Sequence, residues 1–178
     1  MIRLFVALDL PAPVRERLSL LQGGVPGARW YAPGQMHLTL RFIGEVPEST
    51  ARDIDDALIA LRVPGFALEL FGVGAFGGKL PRALWAGVRD GEKIVHLQRK
   101  VETALQRLGL PPEERKFTPH VTLARLKDSP KAKVMEFLAA HALFSSGEFP
   151  VTSFALFSSQ LSSNGSIYRI ESTYALSE

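Results

Sequence analysis

His37-Leu38-Thr39-Leu40 and His120-Val121-Thr122-Leu123 repeat one pattern, histidine, aliphatic, threonine, leucine, in a chain with only four histidines. Composition alone would produce such a coincidence at an expected frequency of about 2 in 10,000, so the repeat calls for a physical reason. From Met36 to Ile43 the chain reads M-H-L-T-L-R-F-I, and polar and apolar residues alternate through Phe42. Successive side chains of a strand point to opposite faces. The pattern predicts a strand with His37, Thr39 and Arg41 on one face and Leu38, Leu40 and Phe42 on the other. In His120-Val121-Thr122-Leu123-Ala124, His120 and Thr122 again share a face. The expectation is two half-buried strands whose aliphatic faces enter the core and whose His/Thr faces turn to solvent or to a cleft.

The two histidines stand 83 positions apart, nearly half of the 178-residue chain. Other segments match at the same offset. A helical stretch from Pro13 to Leu21 maps onto His96 to Ala104, and an amphipathic helix from Glu48 to Leu61, after Pro47, maps onto a helix from Lys131, after Pro130. Phe66–Phe71 maps onto Phe149–Phe154, and Leu84–Val88 onto Ile167–Glu171. Each half reads helix, His-x-Thr strand, helix, strand, strand, with an additional strand at Met1–Asp9. The pattern predicts two similar lobes, about 1–90 and 91–178, related by an approximate two-fold axis that brings the His/Thr faces together across one cleft.

A chain of this length fits one domain with a sizeable core. Hydrophobic content of 46% and charged content of 22% are ordinary for a globular protein. Absence of cysteine excludes disulfides and thiolate metal ligands and fits a reducing compartment. The first nine residues read as a buried strand rather than a secretory leader, and no apolar run reaches membrane-spanning length. These features lead us to expect a cytoplasmic protein, away from membranes and monomeric. A net charge of +3 is compatible with an anionic ligand and too weak for a general nucleic-acid coat.

Histidine has an unperturbed pKa near 6.5, so two of them flanking a substrate can act as acid and base in one turnover. A threonine hydroxyl two residues on can donate a hydrogen bond to an oxyanion. Two such donors from opposite sides suit a phosphoryl group. Arg125 adds a cation able to bind phosphate bidentately. It stands five residues after His120, so on an ideal strand it points the wrong way, and reaching the site requires a bulge, a twist or a strand end. The set suits cleavage of a phosphodiester without a metal or cofactor. Zinc lacks a convergent third ligand, even counting Asp9 and Glu45, and the G-x-S-x-G elbow of a serine hydrolase is missing. Gly72-Val73-Gly74-Ala75-Phe76-Gly77 fits a dinucleotide fingerprint but is followed by another strand rather than a helix. It reads as a flexible strand-to-strand connection. His96 and His141 fall in helical stretches and read as surface or packing residues.

The chain resembles the 2H phosphoesterases, and within them the RNA 2′,3′-cyclic phosphodiesterase branch, historically called 2′-5′ RNA ligases. The resemblance is carried by His37–Glu45, Pro81–Val88, Phe117–Arg125 and the segment from Ser158 through Gly165 to Tyr168, and so covers nearly the whole chain. It implies an α+β, bilobal fold: two pseudo-symmetric lobes of antiparallel sheet, helices outside, a central cleft. It implies hydrolysis of an RNA 2′,3′-cyclic phosphate end, or of a small nucleotide, to a 2′-phosphate, with a weak ATP-independent joining of RNA ends as the reverse reaction. By the resemblance, His37 is the proton donor and His120 the proton acceptor, Thr39 and Thr122 bind phosphate oxygens, and Arg125 contacts the phosphate. Phe42 and Tyr168, and also Trp30 and Tyr31, are candidates for stacking a base. The alternatives are another cyclic or 2′,5′-linked nucleotide, or a non-catalytic RNA-end binding module. Substrate choice would lie in the loops Gln22–Arg29, Ala75–Arg82 and Ser159–Ser166.

Overall fold

Leu4 to Leu8 are all buried, which a strand allows only when both of its faces are covered. The computed structural model, which describes residues 1–178, shows how. Strand β1 (Ile2–Asp9) turns Leu4, Val6 and Leu8 into the main core, and Phe5 and Ala7 onto the opposite face beside Ala155 and Phe157. Helix α1 (Ala12–Ser19), the short strand β2 (Ala28–Trp30) and strand β3 (His37–Val46) follow. Then come α2 (Glu48–Ile59), the hairpin β4 (Phe66–Phe76) and β5 (Ala83–Arg89), α3 (Glu92–Arg107), β6 (Val121–Leu126), α4 (Lys131–Ala140), β7 (Ser145–Val151), β8 (Ser153–Ser162) and β9 (Gly165–Ala175). Prolines 11, 47 and 130 sit immediately before α1, α2 and α4, where a fixed φ and a missing N–H cost the helix nothing. The apolar stripe of α3, Ile94, Leu97, Val101 and Leu105, is fully buried and packs on the sheet side shared with Leu38 and Val121. No helix is long and apolar enough to cross a membrane.

All strands join one antiparallel sheet in the order β7-β4-β5-β6-β3-β1-β8-β9, with β2 added on β6. Its two groups of four, β7-β4-β5-β6 and β3-β1-β8-β9, are the pseudo-symmetric lobes. Each draws strands from both halves of the sequence, and β5 flanks β6 as β1 flanks β3. The lobes meet where β3 and β6 pair at Leu38 and Val121. Beyond that point the strands part. The rest of the β6 edge pairs with β2, Ala28 against Leu126 and Trp30 against Ala124, and the Tyr31 N–H donates to the Leu123 carbonyl at 2.9 Å. The opening between the lobes is the cleft.

Four expectations from the sequence need correction. Simple alternation put Arg41 with His37 and Thr39, and Phe42 with the core. Instead Arg41 is buried and Phe42 is 46% exposed. The cause is a β-bulge. Val6 pairs with Arg41 and Ala7 with Thr39, so β3 has one residue more than β1 between those points, and the faces exchange. Arg41 Nε donates to Glu102 Oε2 of α3 at 2.5 Å, and its other nitrogens donate to the Phe42 and Pro111 carbonyls. The glycine-rich stretch Gly72–Gly77 is not a connection: β4 runs through it to Phe76, and the turn is Gly77–Arg82. The segment Phe149–Phe154 is two strands, β7 ending at Val151 and β8 starting at Ser153. The lobes are not the sequence halves 1–90 and 91–178, because each takes strands from both.

Gly74 faces Trp85 across the β4–β5 pair, and a Cβ added there would lie 2.1 Å from the indole ring. Its φ is ordinary, so the requirement is space alone. Gly74→Val is expected to destabilise the fold by about 1–3 kcal/mol through overpacking, read as a lower midpoint in urea unfolding. An unchanged midpoint would mean that the indole swings aside without cost.

Candidate active site

Leu38 and Val121 pair directly, and both are fully buried. Because side chains alternate along a strand, their neighbours His37, Thr39, His120 and Thr122 must emerge on the other side of the sheet. All four line one cavity of about 160 Å³, together with Arg125, Phe5, Tyr31, Gln35, Phe42 and Tyr168. The two His-x-Thr motifs therefore meet in one place.

Arg125 reaches the same cavity by the device the sequence required. On β6, Ala124 pairs with Leu84 and Thr122 with Trp85, so Leu123 is the additional residue of a bulge. Burial along β6 runs Val121 in, Thr122 half-buried, Leu123 and Ala124 in, Arg125 out. The bulge on β3 sits at the corresponding positions, Leu40 and Arg41. Phe42 and Arg125, each five residues after its histidine, are thus turned into the cleft by equivalent bulges, one supplying a ring and the other a cation. Arg125 Nε donates to the Tyr31 hydroxyl at 3.2 Å and has no carboxylate partner.

The two histidines live in different surroundings. His37 stacks on Phe5, centroids 4.8 Å apart, and on Phe157 at 5.5 Å, with Tyr168 edge-on at 4.9 Å. This burial, with a smaller contribution from the Arg15 charge, lowers its pKa from 6.5 to about 4. His37 is therefore neutral in the empty cleft at neutral pH. Asp9, its register partner on β1, is engaged by Arg15. His120 is held by its Nδ1, 2.6 Å from the Thr118 carbonyl oxygen. A carbonyl accepts only, so Nδ1 carries a proton, and in the neutral tautomer that this contact selects the lone pair is on Nε2. Phe76 lies edge-on to His120, centroids 5.0 Å apart.

The cleft continues past Phe42, Tyr31 and Tyr168 into a second cavity of about 340 Å³ that also takes in Trp30, Arg3, Arg29 and Ser166. All four aromatic residues singled out from sequence line it. Burial raises the pKa of Tyr168, with Tyr31 adding to the effect, so its hydroxyl stays protonated. Of the three loops expected to bear on substrate choice, the β8–β9 turn lines this second cavity and is tied down by Gln35 Nε2, which donates to the Ser166 carbonyl at 3.2 Å. His141 caps α4 against Phe137, and His96 lies exposed on α3. Neither approaches the cleft. No three or more His, Cys, Asp or Glu side chains gather in a metal-binding group.

Sequence reasoning missed Phe5 and Phe157, the walls of His37, and Arg3 and Gln35. The first two read as core because they sit in apolar runs. The other two lie outside any motif, and only the closing of the sheet brings them to the cleft. Arg29, which lines the second cavity, ends the loop Gln22–Arg29 expected to bear on substrate choice.

Comparison with known proteins agrees with this geometry. A family model described as the 2′-5′ RNA ligase superfamily matches residues 10–162. The RNA 2′,3′-cyclic phosphodiesterase of Aeropyrum pernix is 37% identical over 158 residues, 87% of this chain and 89% of the relative. That of Thermotoga maritima is 34% identical over 177 residues, covering 94% and 92%. Among solved structures, TT0787 of Thermus thermophilus superposes with a TM-score of 0.83 at 28% identity, covering 98% of both chains. E. coli LigT complexed with 3′-AMP superposes with a TM-score of 0.81 at 28% identity, covering 99% of both.

The burial of His37 has two measurable consequences. In an NMR titration of the free protein, His37 is expected to stay neutral until about pH 4, and added inorganic phosphate should move its midpoint upward; a midpoint near 6.5 without phosphate would refute the aromatic enclosure. Folding stability should respond as well. As pH falls below 6.5 the unfolded chain protonates this histidine first, so its contribution to stability declines from about pH 6.5 to about pH 4 and then levels off, read as the difference in urea midpoint between wild type and His37→Gln across that range.

Proposed function

The chain belongs to the 2′-5′ RNA ligase superfamily, and from that footing we propose that it hydrolyses 2′,3′-cyclic phosphate ends of RNA to 2′-phosphates. The observation that carries this reading is the meeting of both His-x-Thr pairs and an ion-pair-free arginine in one small cavity. Such a site offers two proton-transfer groups and three donors to one phosphoryl group. The names of the relatives, RNA 2′,3′-cyclic phosphodiesterases, support the substrate class.

The steps follow from the surroundings of each group. The cyclic phosphate sits with its non-bridging oxygens on the Thr39 and Thr122 hydroxyls and the Arg125 guanidinium, which stabilise charge on the equatorial oxygens of an in-line displacement. His120, its Nδ1–H anchored on Thr118, takes a proton from water at Nε2. The oxygen of that water attacks phosphorus, the bond to O3′ breaks, and His37 gives O3′ its proton. The phosphate remains on O2′. Proton balance requires His37 to enter the step charged. The arriving phosphate anion raises its pKa, so the acid is loaded together with the substrate. Once charged, an imidazolium that its enclosure disfavours releases its proton readily, which supports the donor role for His37 and the acceptor role for His120. The terminal nucleoside lies toward Phe42 and Tyr168, with the upstream strand leaving past Arg3 and Arg29. The same groups could join a 5′-hydroxyl in place of water without ATP, because the cyclic ester supplies the driving force.

The test is incubation of the purified protein, with EDTA, with a short RNA ending in a 2′,3′-cyclic phosphate, and chromatography of the product. A 2′-phosphate end is expected. No turnover on this RNA would redirect the reading to another cyclic or 2′,5′-linked nucleotide. His37→Ala and His120→Ala should each lower kcat by roughly 10²–10⁴, and Thr39→Ala or Thr122→Ala by roughly 10²–10³, with circular dichroism unchanged. Near-normal turnover in either histidine variant would overturn the two-histidine mechanism.

A further inference from the structure

A second groove leaves the cleft on the side of His120, away from the aromatic pocket. It encloses about 650 Å³, is bordered by Arg82, Arg115 and Lys116, and shares His120, Thr122 and Arg125 with the cleft, but not His37. The three bordering side chains are exposed and none is ion-paired. They come from two separate segments. Arg82 ends the β4–β5 turn, its carbonyl accepting from the Leu126 N–H at 2.8 Å. Arg115 and Lys116 lie on the loop before β6. That loop is anchored from below: Glu102 accepts the Glu113 N–H at 3.0 Å, and Arg41 donates to the Pro111 carbonyl. Burial alone would raise the pKa of Glu102, but hydrogen bonds from Gln106 and the Glu113 backbone, and then Arg41, leave it lowered and charged. The basic loop is thereby held in place.

We infer that this groove binds a second RNA strand, the one that presents a 5′-hydroxyl to the phosphorus, and that Arg82, Arg115 and Lys116 contact its backbone phosphates. The inference rests on the reaction proposed above. In an in-line displacement the attacking oxygen and the leaving O3′ lie on opposite sides of phosphorus. With His37 on the leaving side, the attacking group stands on the side of His120, where this groove opens. Its lining is mostly cationic and polar, and its one aromatic ring, Phe76, is already packed against His120. That composition suits a phosphate backbone, whereas the aromatic pocket beyond Phe42 suits a base. With a strand seated here, its 5′-hydroxyl takes the place of the attacking water. Its proton passes to His120 Nε2, the O5′–P bond forms, the P–O3′ bond breaks, and His37 protonates O3′. The product is a 2′,5′ linkage, and no co-reactant is consumed. The three cations thus bear on the choice between joining and hydrolysis.

The test compares wild type with the triple variant Arg82→Ala, Arg115→Ala, Lys116→Ala, and with Lys116→Glu alone. Hydrolysis of a nucleoside 2′,3′-cyclic phosphate, which needs no second strand, should be unchanged and reports that the site is intact. Binding is read by fluorescence anisotropy with a 5′-hydroxyl RNA octamer carrying a 2′-O-methylated 3′ end. An excess of a nucleoside 2′-monophosphate keeps the aromatic side filled. The triple variant should bind roughly tenfold or more weakly, with a salt slope shallower by about 2, as expected for three lost single-strand phosphate contacts. Joining of a 5′-hydroxyl RNA to a cyclic-phosphate end should fall in parallel, and Lys116→Glu should move binding and joining in the same direction. Equal octamer binding and salt slope in wild type and variant, or a wild type that hydrolyses cyclic phosphates yet binds no octamer, would overturn the groove assignment and leave the hydrolytic reading standing. A wild type that binds the octamer but hydrolyses no cyclic phosphate would overturn the hydrolytic reading instead.

Discussion

The cleft depends on one backbone pairing, Leu38 against Val121. Both side chains are fully buried, and a strand's side-chain period of two leaves the adjacent residues no choice of face. A slip of one residue on either strand would put a histidine and a threonine into the core and expose leucine or valine. Burial of two aliphatic side chains, each worth about 1.5–3 kcal/mol, therefore enforces the register that aligns the chemistry. Because pairing stops there and β2 takes over the β6 edge, the strands diverge, and the space between them becomes a cavity of phosphoryl size rather than a continuous sheet.

The backbone frame is nearly symmetric, and the reaction is not. Equivalent bulges on β3 and β6 turn Phe42 and Arg125 into the cleft from corresponding positions. On one lobe the bulge brings a ring that can meet a base, and on the other a cation that can meet a phosphate. The histidines diverge likewise. One is enclosed by Phe5, Phe157 and Tyr168. The other is steered by the Thr118 carbonyl. A displacement at phosphorus needs one group that accepts a proton and another that gives one, and a perfectly symmetric site could not distinguish them. Side chains that differ between the lobes make the distinction on a frame that is alike.

The His-x-Thr repeat and its strand alternation made the two central strands, the shared faces and the bilobal sheet legible, because period-two patterning reports burial directly. The helices after Pro47 and Pro130 were legible from punctuation and periodicity. Bulges were not: they depend on the count of residues in the partner strand, and no single strand carries that information. This is why Arg41 read as a cleft residue and Phe42 as core, and why Arg125 could be assigned only on condition of an irregularity. Gly72–Gly77 misled for a related reason. Glycine normally argues for a turn, but here Gly74 makes room within a strand for the Trp85 ring of the neighbouring one. Arg3 reaches the cleft, and the anchored loop with Arg115 and Lys116 the groove beside it, only through long-range pairing.

For His37 as the proposed proton donor, a pKa of about 4 looks ill-suited to neutral pH until the energies are compared. Lowering the value from 6.5 to about 4 corresponds to about 3 kcal/mol against the charged form. A single negative charge about 4 Å away, at the effective dielectric of a protein site, contributes roughly 4 kcal/mol in favour of it. One phosphate oxygen close to His37 is thus enough to cancel the cost of enclosure. The aromatic walls keep His37 neutral until an anion arrives. They also sharpen the response to an anion, since the low-dielectric surroundings that disfavour the lone charge strengthen its pairing with phosphate. In the proposed step, when phosphorus–oxygen bond cleavage shifts charge onto O3′, the proton of His37 moves to it. The enclosure that made the imidazolium costly then favours its return to the neutral form.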